Sequence, residues 1–263
     1  MDASKIIYAK PLTTDVLRDI VVNIIIPFKE NYGAVQNILE SIELIRNFRF
    51  VVTLVDDNSQ NGHFLDTIKK LPGVNTHRFE EDMGFGYCVN HAIKNSEHNI
   101  CVIMHSDVYD FEANAIRNLV TALIDGKKEN ICMVSSTTDM VMPKECSFIS
   151  RSKGADEPYI LIGENEFLPF HCCALSKLAF GKIGGFPVYK YCWFEDKLFA
   201  MKAHAFGYKM AYAPRSFVRH RGGETIKQLI KSNSKIVEFL KINRSKFDEE
   251  SKIILDYLKK NKQ

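Results

Sequence analysis

The sequence predicts an α/β fold, a mostly parallel central sheet with helices on both faces. Three observations carry this. Short β-branched runs alternate with longer stretches whose apolar residues recur at helical spacing. The links are short, so the chain returns across the sheet between one strand and the next. Several strand-like runs end in polar, turn-forming segments, and in such sheets ligands bind beyond the carboxyl ends of the strands.

The first run is Val21–Ile26, closed by Pro27, whose missing amide donor suits a strand end. Val35, Ile38, Leu39, Ile42 and Ile45 then fall at helical spacing. Phe50–Val55 is the second strand and runs into the acidic turn "DDNSQNG". "FLDTIKKL" is a helix stopped by Pro72-Gly73, and "NTHRF" a third, short strand. "GYCVNHAIKN" reads as a helix, Ile100–Met104 as the fourth strand leading into "HSDVYD", "NAIRNLVTALIDG" as a helix and "ICMVSS" as a strand. Residues 140–167 are weakly patterned, a long excursion of the kind that is usually functional or disordered. Two lysine-rich helical stretches follow, Ile226–Leu240 and Phe247–Leu258. The expected organisation is an N-terminal extension over 1–20, one domain over 21–225 and a basic helical tail over 226–263 packed on it.

A chain of 263 residues can bury one sizeable core. The net charge of +3 is too small to imply nucleic acid, and the eighteen Phe and ten Tyr are not interleaved with basic clusters. No apolar run nears the ~20 residues needed to span a bilayer, and "MDASKIIYAK" lacks the layout of a signal peptide. Seven cysteines, irregularly spaced and without a CxxC pair, fit reduced thiols better than a disulfide framework or zinc ribbon. A cytoplasmic location is expected.

Asp56 and Asp57 stand at the end of the second strand. Carboxylates there accept from a ribose hydroxyl or base imide, although the same residue types also build ordinary Asx turns. Gly84-Phe85-Gly86 is a poor dinucleotide fingerprint, because the third glycine would fall at Val89 and the segment follows the third strand. What survives is close approach of backbone to a ligand at a helix start. Asp107 ends a buried strand, with Asp110 three residues on and His105 two before, on the same side if the strand continues. Mg²⁺ typically takes one or two protein carboxylates plus phosphate oxygens, which makes this strand end a candidate metal site.

Glu195 and Asp196 open a helix marked by Leu198, Met201 and Ala205 and closed by Gly207. Acids in that position complement the helix dipole. These two also follow an aromatic run containing Trp193, the one tryptophan. An aromatic wall beside a carboxylate suits a sugar site and can raise the carboxylate toward the pKa of a useful base. "FVRHRGGET" reads either as a solvated basic turn or as a loop closing on diphosphate, with His220 an added metal ligand.

Taken in order, these segments resemble family 2 glycosyltransferases of the GT-A fold, the Rossmann-like nucleotide-diphospho-sugar transferase architecture, and especially the rhamnosyltransferase-like branch. The similarity runs from about Val22 to Thr225. It rests on "IIIPFKEN", "VDDNSQNG", "DMGFGYCVN", "MHSDVYD", "IGGFPVYKYCWFEDKLFAMKAHAFGYKMAYAP" and "HRGGET", each weak alone and strong in this order. The resemblance implies inverting transfer of a sugar from a UDP-, dTDP- or GDP-linked donor to a hydroxyl of a glycan or lipid-linked acceptor, with Mn²⁺ or Mg²⁺. Carried over by position, Pro27, Phe28, Glu30, Asp57 and Asp56 would line the nucleoside pocket. Gly84, Gly86, Asn90, His105, Ser106, Trp193 and Arg221 would complete the nucleotide-sugar site, and Asp107 with His220 would hold the metal. Asp196 would be the general base and Glu195 would orient the acceptor or the base. The metal motif reads His105-Ser106-Asp107 where the fuller family form has Asp at both ends.

Two other classes share parts of this pattern. A sugar-nucleotide pyrophosphorylase would need a glycine-rich basic loop after the first strand, where only Lys29 and Gly33 stand. A non-catalytic sugar-nucleotide or carbohydrate-binding protein would need no base, against which Asp196 speaks. From Ile226 to Gln263 ten Lys/Arg stand against five Asp/Glu, so the tail carries +5 and the rest −2. Such a tail either packs on the domain with solvated lysines or rests on the inner face of an anionic membrane that presents a lipid-linked acceptor.

Overall fold

The computed structural model describes residues 7–8, 17, 19–43, 45, 48–112, 114–139, 149, 156–164, 166–191, 193–222 and 236–261. Among these, one sheet is built from β1 (Ile7–Tyr8), β2 (Val21–Phe28), β3 (Arg49–Asp56), β4 (Val74–Arg78), β5 (Ile100–Met104), β6 (Val108–Phe111), β7 (Ile131–Thr138), β8 (Ile160–Leu161), β9 (Cys172–Ser176) and β10 (Lys209–His220). The helices are α1 (Tyr32–Glu43), α2 (His63–Ile68), α3 (Phe85–Asn95), α4 (Ala115–Asp125), α5 (Lys177–Ile183), α6 (Glu195–Ala205) and α7 (Ile236–Asn261).

The predicted α/β class holds. Strands β2 to β5 run parallel, with β2 between β3 and β5 and β4 on the far side of β3, where the two-residue β1 also pairs, antiparallel. Beyond β5 the sheet is mixed. β9 runs antiparallel to both β5 and β7, while β10 is parallel to β7 and antiparallel to β6. The sequence reading assigned no strand to "HCCALS", which is β9. With Cys172–Leu175 all buried it lacks the one-sided alternation that marks a half-exposed strand.

Alternation along β2 divides the core. Val22, Ile24 and Ile26 face one apolar layer with α1 and α4, and Ile25 faces the other with α3, α5 and α6. Pro27 does not stop this strand, which runs on to Phe28 opposite Asp56. The β5 side pairs only as far as Ile25, so a missing donor at position 27 breaks no ladder bond there. Helix α2 ends at Ile68, short of the predicted Leu71.

The described end of the first predicted tail helix and the whole of the second form one helix. α7 runs unbroken through Lys241–Lys246, a polar stretch with no glycine or proline to stop it. Residues 226–235 lie outside the described part. α7 packs on α6 through Phe247, Leu198 and Tyr189, with Phe194 stacked on Phe247 at 5.0 Å between ring centroids. Asn243, buried in that contact, donates to the Lys190 carbonyl at 2.8 Å. No helix among the described residues is long and apolar enough to cross a membrane.

Candidate active site

The carboxyl ends of β2, β3 and β5 do meet, but several of the expected ligand residues hold the scaffold there. Asp56 is fully buried; one oxygen accepts from Arg78 Nη1 at 2.9 Å and the other from the Ser59 amide at 2.9 Å. It anchors the turn and has no face for a nucleoside. Phe28 is likewise a core residue, edge-on to Tyr32 and Phe64, and Pro27 is buried in the strand. Glu30, at φ +55, accepts from the Gln60 amide at 2.7 Å and the Tyr32 hydroxyl at 3.0 Å, tying the β2 turn to the β3 turn. Ser106 is buried, its carbonyl accepting from Asn31 Nδ2 at 3.1 Å.

Asp57 is also spoken for. Its carboxylate accepts from the Met83 amide at 2.6 Å and the Gly84 amide at 3.1 Å. Burial raises its pKa against the opposing pull of those amides and of Lys29. Lys29 donates to the Asp57 carbonyl at 3.0 Å and pairs with Asp82. The β3 turn therefore holds the glycine segment in place.

That segment is the junction of the site. Gly84 has φ +86, and a Cβ there would overlap the Tyr189 carbonyl; a Cβ on Gly86 would overlap the Pro187 carbonyl and lie 3.5 Å from Glu195 Cγ. The glycines are thus required by close packing against the 187–191 segment. Between them, the Phe85 amide donates to the Tyr191 carbonyl at 2.6 Å, and its ring stands edge-on to His105 at 5.0 Å. Asn90, expected at the donor, instead clamps Phe186: its Nδ2 donates to the Phe186 carbonyl and its Oδ1 accepts from the Phe186 amide, both at 2.9 Å.

Of the side chains the sequence offers for a metal, Asp107, His105 and His220 come together. His220 Nε2 lies 2.7 Å and His105 Nδ1 4.0 Å from Asp107 Oδ1. One ligand atom from each of His105, Asp107 and His220 fits within 4.8 Å of the others. A register shift in β10 between Arg219 and His220, a bulge against β6, accompanies this placement of His220. His105, placed with the nucleotide by the sequence reading, belongs to this cluster. Burial, helped by His220, pushes its pKa down to about 4, which keeps the imidazole neutral with a lone pair to offer. One carboxylate with two imidazoles is a chemically sound donor set for a divalent transition-metal ion.

Two supporting residues went unseen in the sequence. His171 stacks on His220 at 5.5 Å and meets Ser136 Oγ through Nε2 at 3.0 Å, while Asp139 accepts from the His220 amide at 3.2 Å. His171 immediately precedes β9, a strand with no clear sequence signal, and Asp139 directly follows β7 in a segment without the clustered acids of the other strand ends. Arg221 lies beside the cluster; its guanidinium stands over the Tyr109 ring at 5.2 Å and its amide donates to the Asp107 carbonyl at 3.1 Å.

Glu195 and Asp196 occupy the first turn of α6, as their spacing indicates. The chain enters this helix through left-handed residues, Tyr191 at φ +69, Trp193 at +96 and Phe194 at +71. Such backbone costs of order 1–3 kcal/mol per residue and clusters at functional sites. Glu195 is 4% exposed, and its Oε1 has no hydrogen-bond partner. Burial, then the neighbouring Asp196, pushes its pKa up to about 8. Asp196 is pushed up by burial to about 6, held there by the opposing Lys197 amide at 2.8 Å. Trp193 is exposed at the rim.

Solved glycosyltransferase structures of the GT-A fold share this architecture, and the chain has that fold. The mannosyltransferase PcManGT from Pyrobaculum calidifontis, in complex with GDP-Man and Mn2+, is 18% identical at TM-score 0.57, over 76% of this chain and 58% of that one. GalNAc-T7 with UDP, GalNAc and Mn2+ is 14% identical at TM-score 0.61, over 79% and 47%. S. aureus TarS 1-349 in complex with UDP-GlcNAc is 17% identical at 0.60, over 78% and 60%. The chain thus spans 47% to 60% of the length of these solved chains. It belongs to glycosyl transferase family 2, whose model matches residues 23–183, more than half of its length. That match ends before Glu195-Asp196 and His220. No curated protein matches the sequence.

Proposed function

We propose that the protein is an inverting glycosyltransferase that moves a sugar from a nucleoside diphosphate sugar to a hydroxyl of a glycan or lipid-linked acceptor, with Asp196 as general base. The observation that carries this reading is the meeting, on the two flanks of the Gly84–Gly86 turn, of the His105–Asp107–His220 cluster and Glu195 at the head of α6. Family membership and the nucleotide-sugar complexes of the structural neighbours support the donor class.

Asp196, titrating near 6, is mostly ionised at neutral pH and basic enough to take a proton. It would remove the acceptor hydroxyl proton as that oxygen bonds to the anomeric carbon from the face opposite the diphosphate, whose bond to the sugar breaks. Glu195, titrating near 8, stays protonated and would donate a hydrogen bond to the acceptor or to Asp196. Arg221, lying across Tyr109, would meet phosphate charge. A divalent ion held by Asp107 and His220, with His105 in reach, would neutralise charge on the leaving diphosphate. Two imidazoles weigh toward Mn²⁺, since Mg²⁺ takes oxygen ligands.

The test is a thermal-shift screen of UDP-, GDP- and dTDP-sugars, each with and without Mn²⁺, followed by NMR assignment of the product anomer. Stabilisation by one nucleotide class that depends on Mn²⁺ and on Asp107, with an inverted product, is the expected result. No shift with any donor, or a product of retained configuration, would overturn the reading. Peripheral membrane contact through residues 226–263 is a separate part of it. α7 itself carries six Lys/Arg against five Asp/Glu, so most of the tail's positive excess lies outside the described residues. Co-sedimentation with anionic liposomes that is unchanged on removing 226–263 would sink that part.

A further inference from the structure

Helix α3 begins at the glycine turn and ends over a second hollow. Its last residues and the Ser96–His98 link overhang a cavity of about 360 Å³ against β2, β3 and β4. Eleven residues at ~1.5 Å each put roughly 16 Å between the two ends of this helix. The volume falls within the ~300–1,000 Å³ typical of small-ligand pockets.

The floor is polar where the strand pattern calls for hydrocarbon. Asn23 interrupts "VVNIII" and is 3% exposed. It donates through Nδ2 to Ser96 Oγ at 3.1 Å and accepts through Oδ1 from Thr53 Oγ1 at 2.8 Å. A side-chain amide has two donor hydrogens and two acceptor lone pairs, so these bonds use half of its capacity. On the wall His77 and His91 stack at 4.1 Å between centroids, with Phe79 edge-on to both. Burial and the adjacent His77 and Lys94 lower the His91 pKa, leaving that ring neutral. Asn75 stands exposed at the rim on strand β4.

The chemistry selects a class of ligand. The lining has amides, hydroxyls and imidazole rings, its one carboxylate is Glu97, and it includes no lysine or arginine. Phosphate or nucleotide has nothing here to neutralise it. A sugar ring offers hydroxyls that both donate and accept, and an apolar C–H face that lies flat on an aromatic ring. We propose that this cavity is a second carbohydrate subsite that takes a neutral sugar, distinct from the donor site at the other end of α3.

Saturation-transfer NMR on the full chain with the methyl glycosides of mannose, glucose, galactose and N-acetylglucosamine tests this. The expected result is saturable binding of at least one glycoside, weakened about tenfold or more by Asn75→Ala or His91→Ala in protein that melts as the parent does, and unchanged in Asp107→Ala. No saturable signal, a signal that survives both pocket variants, or one lost in Asp107→Ala overturns it. No turnover is read, so failure of the glycosyltransferase reading leaves this test standing.

Discussion

Adjacent carboxyls on the first turn of α6 differ in what surrounds them, and that difference assigns their chemistry. Glu195 points into packing against Gly86 with an oxygen unmatched, while Asp196 is answered by the Lys197 amide. Activity should therefore fall as pH drops through about 6, where Asp196 takes up its proton, and Asp196→Asn should lower kcat by ~10²–10⁴-fold with KM for the donor little changed. A pH–rate profile of the parent without an acid limb near 6 would contradict the base assignment. For Glu195 the folded pKa lies above its ordinary 4.5, so folding favours the protonated form. Its contribution to stability is full below pH 4.5 and is lost as pH rises through about 8, at up to ~1.4 kcal/mol per pH unit. Glu195→Gln removes that loss. Its Tm relative to the parent should rise steadily from pH 5 to pH 8, and a pH-independent difference would refute the buried, protonated acid.

At the scale of elements, the organising piece is the turn from Met83 to Gly86. It is pinned from below by Asp57, from the side by the Tyr191 carbonyl, and it starts the helix whose Asn90 clamps Phe186. Asn90→Ala deletes both bonds and leaves the Phe186 amide and carbonyl to find other partners. A buried donor or acceptor left unmet costs ~1–3 kcal/mol. Urea titration should show a loss of that size, together with weaker donor binding because the 187–191 segment loses its brace. A variant equally stable and equally tight would show that the clamp is incidental. Asp56, Asp57 and Asn90 carry residue types suited to a ligand at strand and helix ends, and all three hydrogen-bond to protein. Nothing in composition separates a carboxylate that meets ribose from one that meets an arginine or a loop amide, because the partner lies tens of residues away.

For the molecule as a whole, the sheet supports two layers and α7 adds a third on α6 and on the Tyr189–Tyr191 stretch before it. Helix α6 is thereby held between the domain core and α7. Phe247 is 5% exposed and stacked on Phe194, the residue that leads into Glu195. Phe247→Ala should cost roughly 3 kcal/mol, and the loss should reach the active site through the strained Trp193–Phe194 backbone. A differential-scanning measurement paired with kcat reads both; lowered stability with unaltered kcat would mean that α7 is a support without influence on the site. The tail was legible as helical and amphipathic, and its continuity was missed because a polar stretch such as Lys241–Lys246 looks like a link until a partner surface is known.

Local pattern in the sequence was enough for the α/β class, for the polar turns after β3 and β5 that carry Asp57 and Asp107, and for the helix start at Glu195-Asp196. These follow from local periodicity and turn chemistry, which act over a few residues. Only the tertiary structure decided which polar groups are free and which are consumed. It brings His105 beside Asp107 and His220, sets His171 and Asp139 against His220, and shows Asp56 and Asn90 hydrogen-bonded to protein. The physical reason is that a hydrogen bond or a shifted pKa depends on what lies within a few ångströms, and here those neighbours come from segments up to 113 residues apart, as with His220 and Asp107.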